Sequence, residues 1–172
     1  LLDSEDVKNA LIFCNRKRDI GVLQRSLARH GYNAVSLHGD MSQPARLETL
    51  EKFKNDEADL MVASDVAARG LDIKGLSHVF NFDVPSNPED YVHRIGRTGR
   101  AGSEGRAFTL ATPEDARYLA NIVKLIGGEI PPFQIGGVES AADKAPAPKA
   151  RGRQAKSEGE ETLETSLPIK PE

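Results

Sequence analysis

Short apolar runs alternate with longer amphipathic stretches along the first 135 residues of the chain. Five runs predict β-strands, because each is short, continuous and bounded by polar or turn-forming residues, and the first is expected to be buried. They are ALIFC at 10–14, AVSL at 34–37, LMVA at 60–63, HVFNF at 78–82 and RAFTLA at 106–111. This alternation is typical of an α/β domain with a mostly parallel sheet and helices on both faces.

Helical periodicity fills the intervals between the predicted strands. Residues 18–31 place Ile20, Leu23 and Leu27 on one helix face, and Gly31 is the expected stop signal. A short helical stretch, DVAARG, follows the third strand.

Polar residues mark the starts of the other three predicted helices. Ser42, Asn87 and Thr112 are expected N-caps; Pro88 takes the first position of one helix, and Asp115 completes a capping-box pattern in another. The helix after Ser42 runs to about Lys54, and the last helix ends at Gly127-Gly128. The residues predicted to be buried are Leu47, Leu50 and Phe53 in the first of these helices and Leu119, Ile122, Val123 and Ile126 in the last.

The pattern ends near residue 135. Residues 136–172 are rich in Ala, Pro, Lys and Glu and contain no aromatic residue. Such a segment buries too little apolar surface to offset its chain entropy. We therefore predict a folded domain at 1–135 and a disordered low-complexity tail at 136–172.

Charge and cysteine content narrow the class of protein. The net charge is -3, and residues 1–135 carry 17 basic and 19 acidic side chains, so any basic surface must be local. Cys14 is the only cysteine, which excludes an intrachain disulfide and fits a reducing, cytoplasmic location. No stretch approaches the 18 apolar residues of a membrane span. The N-terminus lacks both a signal-peptide pattern and an initiator methionine, which suggests a piece of a longer protein.

Polar residues follow each predicted strand, where open parallel sheets bind their ligands. In chain order they are Asn15, Arg16 and Lys17; His38, Gly39, Asp40, Gln43 and Arg46; Ser64, Asp65, Arg69, Gly70 and Asp72; and Asp83, Pro85 and Ser86. Taken singly, Asn15 and Asp40 fit caps or turns as well as a site, Asp65 and Asp72 fit helix caps, and Gln43 and Arg46 fit a solvated helix face better than a site. No His, Cys, Asp or Glu spacing is typical of a metal site.

The run HRIGRTGRAG at 93–102 places Arg94, Arg97 and Arg100 at every third position. Three neighbouring arginines repel one another unless an anion lies between them. Carboxylates of Glu89, Asp90 and Glu104 are one source of that anion, and a bound phosphate is the other. The chain has no phosphate-binding loop of the G-x-x-x-x-G-K-[ST] type.

Four segments together resemble a known family: ALIFCNRK, LHGDMSQPARLETLEKF, VASDVAARGLD and NFDVPSNPEDYVHRIGRTGRAG, in this order. Over residues 8–127 the chain is similar to the second RecA-like domain of a DEAD-box RNA helicase, with the bacterial RhlE-type branch nearest. The resemblance implies a three-layer RecA-like domain that closes over ATP and Mg²⁺. These are held mainly by an N-terminal RecA-like domain that this sequence lacks.

The resemblance also implies roles for individual residues. Arg97 and Arg100 match arginine fingers on the γ-phosphate, Asp72 and the backbone near Gly70 match ribose contacts, and His93 and Arg94 match interdomain coupling. The residues that match the RNA-backbone side are Asn15, Arg16, Gly39, Asp40, Gln43, Arg46 and Ser64. Ser64 departs from the threonine usual in the family but keeps a hydroxyl.

The implied partners are RNA and the N-terminal domain of the same protein, in a monomer, and the chain alone is expected to be inactive. Two other functions fit the same residues. One is a stand-alone RNA-binding or interaction domain, which a preceding domain with a phosphate loop would exclude. The other is half of a related DNA helicase, which a comparison of RNA- and DNA-stimulated ATPase activity would test, since proteins distinguish the two through the 2′-hydroxyl.

Overall fold

Five strands form one sheet, in which every neighbouring pair is parallel and the order is β2-β3-β1-β4-β5. The computed structural model describes residues 1–71, 73, 75–99 and 104–133, so the predicted tail lies outside the described residues. The strands are β1 (Ala10–Phe13), β2 (Ala34–Leu37), β3 (Leu60–Ala63), β4 (His78–Asn81) and β5 (Arg106–Thr109). Each lies within one of the predicted apolar runs.

The helices lie in the intervals where the sequence predicted them. They are α1 (Lys17–Arg29), α2 (Gln43–Lys54), α3 (Asp65–Ala68), α4 (Pro88–Ile95) and α5 (Ala116–Ile126), with a short 3₁₀ turn at Pro113–Asp115. The Ser42 hydroxyl accepts from the Ala45 N–H at 3.4 Å, and the Asn87 amide oxygen accepts from the Glu89 N–H at 3.2 Å. The Asp115 carboxylate accepts from the backbone N–H and hydroxyl of Thr112 at 2.9 and 2.8 Å.

Helices cover both faces of the sheet, as predicted for a three-layer RecA-like domain. Side chains alternate between faces along a strand, and β1 shows both. Ala10 and Ile12 pack with Ile20 of α1. Leu11 and Phe13 pack with residues of α2 and α3 on the opposite face. α4 lies on that second face, because the Arg94 guanidinium stacks over the Phe13 ring at 5.1 Å.

Two residues predicted to be buried are exposed instead. Leu47 is 53% exposed. Residues three positions apart on a helix are offset by about 60°, so Leu47 lies about 120° around α2 from the buried Phe53. Ile126 is 38% exposed at the last residue of α5. α5 packs on α4, which is about one turn shorter. Of the other residues predicted to be buried in α5, Ile122 is fully buried, and Leu119 and Val123 are partly buried.

No helix among the described residues is long and apolar enough to cross a membrane.

Candidate functional site

The carboxyl ends of β1, β3 and β4 meet at one edge of the sheet. Phe13, the last residue of β1, pairs with Ala63 on one side and with Asn81 on the other. The residues that follow these strands therefore converge, as the sequence predicted.

Arg94 occupies the centre of this edge and is 1% exposed. Its Nε and Nη2 atoms donate to the two carboxylate oxygens of Asp65 at 2.7 and 2.6 Å. Nη1 donates to the Asn81 amide oxygen at 3.3 Å and to the Asp83 carbonyl at 2.9 Å, and Nη2 also donates to Asn15 Oδ1 at 2.7 Å. All five N–H groups of the guanidinium are thus used within the domain, and they tie together the segments that follow β1, β3 and β4.

Asn15 is part of the same network. Its side-chain oxygen accepts from Arg94, its side-chain nitrogen donates to the Val84 carbonyl at 2.8 Å, and its backbone N–H donates to the Asp83 carboxylate at 2.8 Å. The amide predicted to contact RNA is therefore held by neighbouring strand ends. Arg16, the next residue, has an exposed side chain with no described partner.

Arg97 lies at the start of a loop fastened to the segment between α3 and β4. Its Nη1 donates to the Leu71 carbonyl at 2.9 Å. The Thr98 hydroxyl donates to the Leu76 carbonyl at 2.5 Å, and these two residues also form an isolated β-bridge. Gly70, beside this contact, has φ +76°, a conformation that favours glycine.

A cleft of about 260 Å³ opens between α3, α4 and the loop that begins at Arg97, which we call the arginine loop. It is lined by Phe13, Asp65, Ala68, Arg69, Asp90, His93, Arg94 and Arg97. The acidic residues 89, 90 and 104 were one possible source of counter-charge for the arginines. Arg94 instead pairs with Asp65, Asp90 pairs with Arg69 at 3.4 Å, and no described carboxylate pairs with Arg97.

The other residues assigned to the RNA side, besides Asn15 and Arg16, lie around the starts of α2 and α3. Gly39, Asp40 and Gln43 are exposed. The Ser64 hydroxyl accepts from the Ala67 N–H at 3.4 Å, while Arg46 donates to the Ala67 carbonyl at 3.2 Å. Ser64 and Arg46 therefore both contact the backbone of Ala67 in α3, and the Ser64 hydroxyl hydrogen remains available to donate.

An ion pair between Lys17 and Asp40 crosses this surface. The hydrogen bond from Lys17 is the main reason that the pKa of the Asp40 carboxyl lies below its usual range. Asp40 therefore carries a negative charge on a surface assigned to phosphate binding. No role was predicted for Lys17, because its partner is 23 positions away in the sequence and belongs to another element.

Three other features of the site were not recognised from the sequence. Asp65 was placed among the polar residues that follow the third strand, or else read as a helix cap, but its pairing with Arg94 was not predicted. Asn81, a fully buried amide in an apolar strand, was a usable signal. The packing of Gly105 against Thr98 and Gly99 could not be read from the sequence, since it depends on how the loop folds back.

Asp72 and Arg100, assigned to ribose and γ-phosphate, lie outside the described residues. His93 is exposed beside the cleft. No group of three or more His, Cys, Asp or Glu side chains in the described part of the chain is arranged to hold a metal ion.

Comparison with known proteins defines the class of this domain. Residues 1–102 match the family described as the helicase conserved C-terminal domain. The ATP-dependent RNA helicase CshA of Limosilactobacillus reuteri is 47% identical over 141 residues, which cover 82% of this chain and 28% of the relative. The structure of the E. coli DEAD-box protein SrmB bound to the regulator RraA has a TM-score of 0.70 at 37% identity, covering 73% of this chain and 74% of that one.

The C-terminal domain of the DEAD-box protein Dbp5 is also similar, with a TM-score of 0.67 at 32% identity over 72% of each chain. The chain belongs to the helicase C-terminal domain family, and it is a RecA-like domain of the DEAD-box kind. It spans about a quarter of the length of the CshA relative. The RhlE-type branch and the domain boundary at residue 135 stay predictions.

Proposed function

We propose that this chain is the C-terminal half of an ATP-dependent RNA helicase. In this proposal an N-terminal RecA-like domain holds ATP and Mg²⁺, and this domain supplies Arg97 and Arg100 to the γ-phosphate while it contacts the RNA backbone. The chain alone is inactive, because its sequence contains no phosphate-binding loop. Location in the cytoplasm and action as a monomer belong to the same proposal.

The observation that carries the proposal is the contrast between Arg94 and Arg97. Arg94 uses all its donors on partners inside the domain. Arg97 uses one, on the Leu71 carbonyl, and its other N–H groups have no partner among the described residues. A planar guanidinium held at one nitrogen and open at the others fits the oxygens of a phosphoryl group.

Arg97 would act by stabilising charge. In phosphoryl transfer, negative charge spreads over the γ-phosphoryl oxygens, and an arginine placed there lowers the barrier. The hydrogen bond to Leu71 would keep the guanidinium oriented before ATP arrives. Any coupling between domains by Arg94 would pass through Asp65 and the strand ends, since its own donors are occupied.

The RNA side of the proposal rests on the groups around α3. Ser64 retains a hydroxyl hydrogen, and Arg46 and the exposed Gln43 lie one helical turn apart near the N-terminus of α2. Hydroxyl, guanidinium and amide groups are typical donors to phosphate oxygens. Contacts of this kind position the RNA backbone but do not distinguish its bases.

The test is RNA-stimulated ATPase activity in the full-length protein. Arg97→Ala should lower kcat by about 10³- to 10⁵-fold and change ATP affinity little, since the arginine acts mainly in the transition state. Arg97→Lys should restore activity only in part, because lysine keeps the charge but lacks the planar fork.

Arg29→Ala, at the exposed C-terminal end of α1, is the matched control and should leave kcat unchanged. Near-normal kcat in Arg97→Ala would refute the catalytic assignment. Stimulation by single-stranded DNA equal to that by RNA would instead favour the related DNA helicase.

A further inference from the structure

A second cleft, of about 370 Å³, lies next to Arg16 at the carboxyl ends of β1, β4 and β5. Asn15 and Arg16, assigned above to the RNA backbone, line one side of it, and its other lining residues have no assigned role. Its walls include Arg16, Phe82, Asp83, Leu110, Asp115 and Tyr118. Its volume is at the lower end of the range for small-molecule sites, which suits a single flat ring system.

The apolar wall of the cleft is exposed and fixed in place. Phe82 is 38% and Leu110 44% exposed. They follow Asn81 and Thr109, which are paired across β4 and β5. The Phe82 N–H donates to the Phe13 carbonyl and the Leu110 N–H donates to the Asn81 carbonyl, both at 2.9 Å. The two side chains therefore stand side by side on a hydrogen-bonded edge.

The polar part of the cleft presents acceptors. Asp83 Oδ2 accepts from the Asn15 backbone N–H, and Asp115 Oδ2 accepts both donors of Thr112. The other oxygen of each carboxylate has no hydrogen-bond partner among the described residues. Arg16 supplies an exposed positive charge at the same cleft.

We propose that this cleft holds one base of the bound RNA, next to a phosphate contacted by Arg16, and that it favours bases with an exocyclic amino group. The inference rests on the proposed function, because it needs RNA at Arg16. Phe82 offers a ring on which a base can stack. The free carboxylate oxygens can accept from the amino group of cytosine or adenine. Uracil lacks that donor and turns a carbonyl oxygen toward the carboxylates.

The experiment measures fluorescence anisotropy of the 172-residue chain with oligocytidylate and oligouridylate of equal length, at about 50 mM salt, where phosphate contacts are strong. The wild-type chain should bind oligocytidylate more tightly. Phe82→Ala should weaken that binding by roughly 5-fold or more, as expected for one stacked base, and abolish the preference. The salt dependence should not change, since no charge is lost.

Two further variants separate stacking from folding. Phe82→Leu keeps an apolar side chain of similar size but removes the aromatic face, so it should also lose the preference while keeping the fold, as checked by its melting temperature. Leu125→Ala removes a comparably exposed apolar side chain from α5, 48% exposed, and should have no effect.

Each remaining outcome overturns the inference. Equal affinities for both oligonucleotides, unchanged by Phe82→Ala, refute the base site and leave the proposed function intact. Tighter binding of both by Phe82→Ala would mean that another part of the chain occupies the cleft. Failure of both oligonucleotides to bind would refute the base site, whereas the proposed function is tested separately by the RNA-stimulated ATPase activity of the full-length protein.

Discussion

Arg94 and Arg97 come from one sequence motif and lie three residues apart, yet their surroundings differ. Arg94 is buried with five N–H groups bonded inside the domain. Arg97 is partly exposed with a single bond to a carbonyl. The sequence allowed both a carboxylate and a phosphate as the anion for these arginines. Of these two arginines, Arg94 is the one with a carboxylate partner among the described residues, and that partner is Asp65 rather than one of the nearby acidic residues.

Replacing Arg94 should destabilise the domain strongly. Arg94→Ala leaves the Asp65 carboxylate, Asn81 and Asn15 without their shared donor, so we expect the free energy of unfolding to fall by about 3–5 kcal/mol. Urea denaturation of the purified chain measures this. Arg69→Ala, which breaks the exposed pair with Asp90, is the control and should cost less than about 1 kcal/mol. Similar losses in the two variants would show that the Arg94 network contributes little.

The Lys17–Asp40 pair leads to a second prediction at this scale. Under the proposed function, Asp40 competes with RNA phosphates for Lys17. Asp40→Asn should therefore strengthen RNA binding by roughly 2- to 5-fold, the range expected for releasing an exposed ion pair. Binding should also become more sensitive to salt, by a slope of about 0.7 for one added phosphate contact. Anisotropy titrations at several salt concentrations measure both.

Glu48→Gln is the matched control for this prediction, because it breaks a similarly exposed pair with Lys52 at 2.7 Å within α2. It should leave RNA binding and its salt dependence nearly unchanged. An equal gain in both variants would indicate a general effect of net charge, and a loss in Asp40→Asn would show that the carboxylate itself assists binding.

At the scale of elements, the sequence predicted most where the signal was local. Ser42 and Asn87 cap helix starts as expected, and Asp115 accepts from the backbone N–H of Thr112, because such contacts depend on residues within one turn. Burial was predicted less well. Leu47 is exposed because a spacing of three residues carries it off the buried face of α2, and Ile126 is exposed because α5 packs on a shorter helix. A helical pattern identifies the apolar face of a helix, but it does not show how much of that face the neighbouring elements bury.

The packing of the arginine loop gives a prediction for Gly105. A Cβ at this position would lie 1.9 Å from Thr98 Oγ1 and 2.3 Å from the Gly99 nitrogen. Gly105→Ala must therefore displace the loop that begins at Arg97. We expect a loss of about 1–3 kcal/mol in unfolding free energy, as for other overpacked sites, and a drop in kcat of the full-length ATPase at temperatures where the variant is fully folded.

Gly128→Ala is the control for the loop, because a Cβ there meets nothing within 4 Å. It should change neither stability nor ATPase activity by much. If Gly105→Ala kept wild-type kcat, the position of the loop would not limit the reaction.

At the scale of the whole molecule, the sequence predicted a parallel sheet but not its strand order. Strands β1 and β2 are consecutive in the chain, yet β3 lies between them. Nothing local to either strand encodes that crossover. The same holds for the network around Arg94, which joins Asn15 and Asp65 across 50 positions of sequence. Convergence at one sheet edge was predictable from the parallel class, whereas individual partners required the fold.

The reactivity of the Cys14 thiol tests whether the sheet edge around Arg94 stays closed in the native protein. Cys14 is fully buried at the end of β1, and burial, with the nearby charges of Asp83 and Asp19, raises the pKa of its thiol to about 12. At pH 8 the native thiolate fraction is then on the order of 10⁻⁴, whereas a free cysteine is about one quarter ionised. Only the thiolate reacts with disulfide reagents, so the native protein should be nearly inert.

We therefore expect labelling of Cys14 at pH 8 to proceed through unfolding. Without urea the reaction should be very slow, and the labelled fraction at a fixed time should rise with urea in parallel with the loss of helical circular dichroism. The control is Val22→Cys in a Cys14→Ala background, since position 22 is 56% exposed on α1 and should react at once. Rapid labelling of Cys14 in the absence of urea would mean that the edge around Asn15 and Arg94 opens locally, and the buried network would then not be a permanent part of the native state.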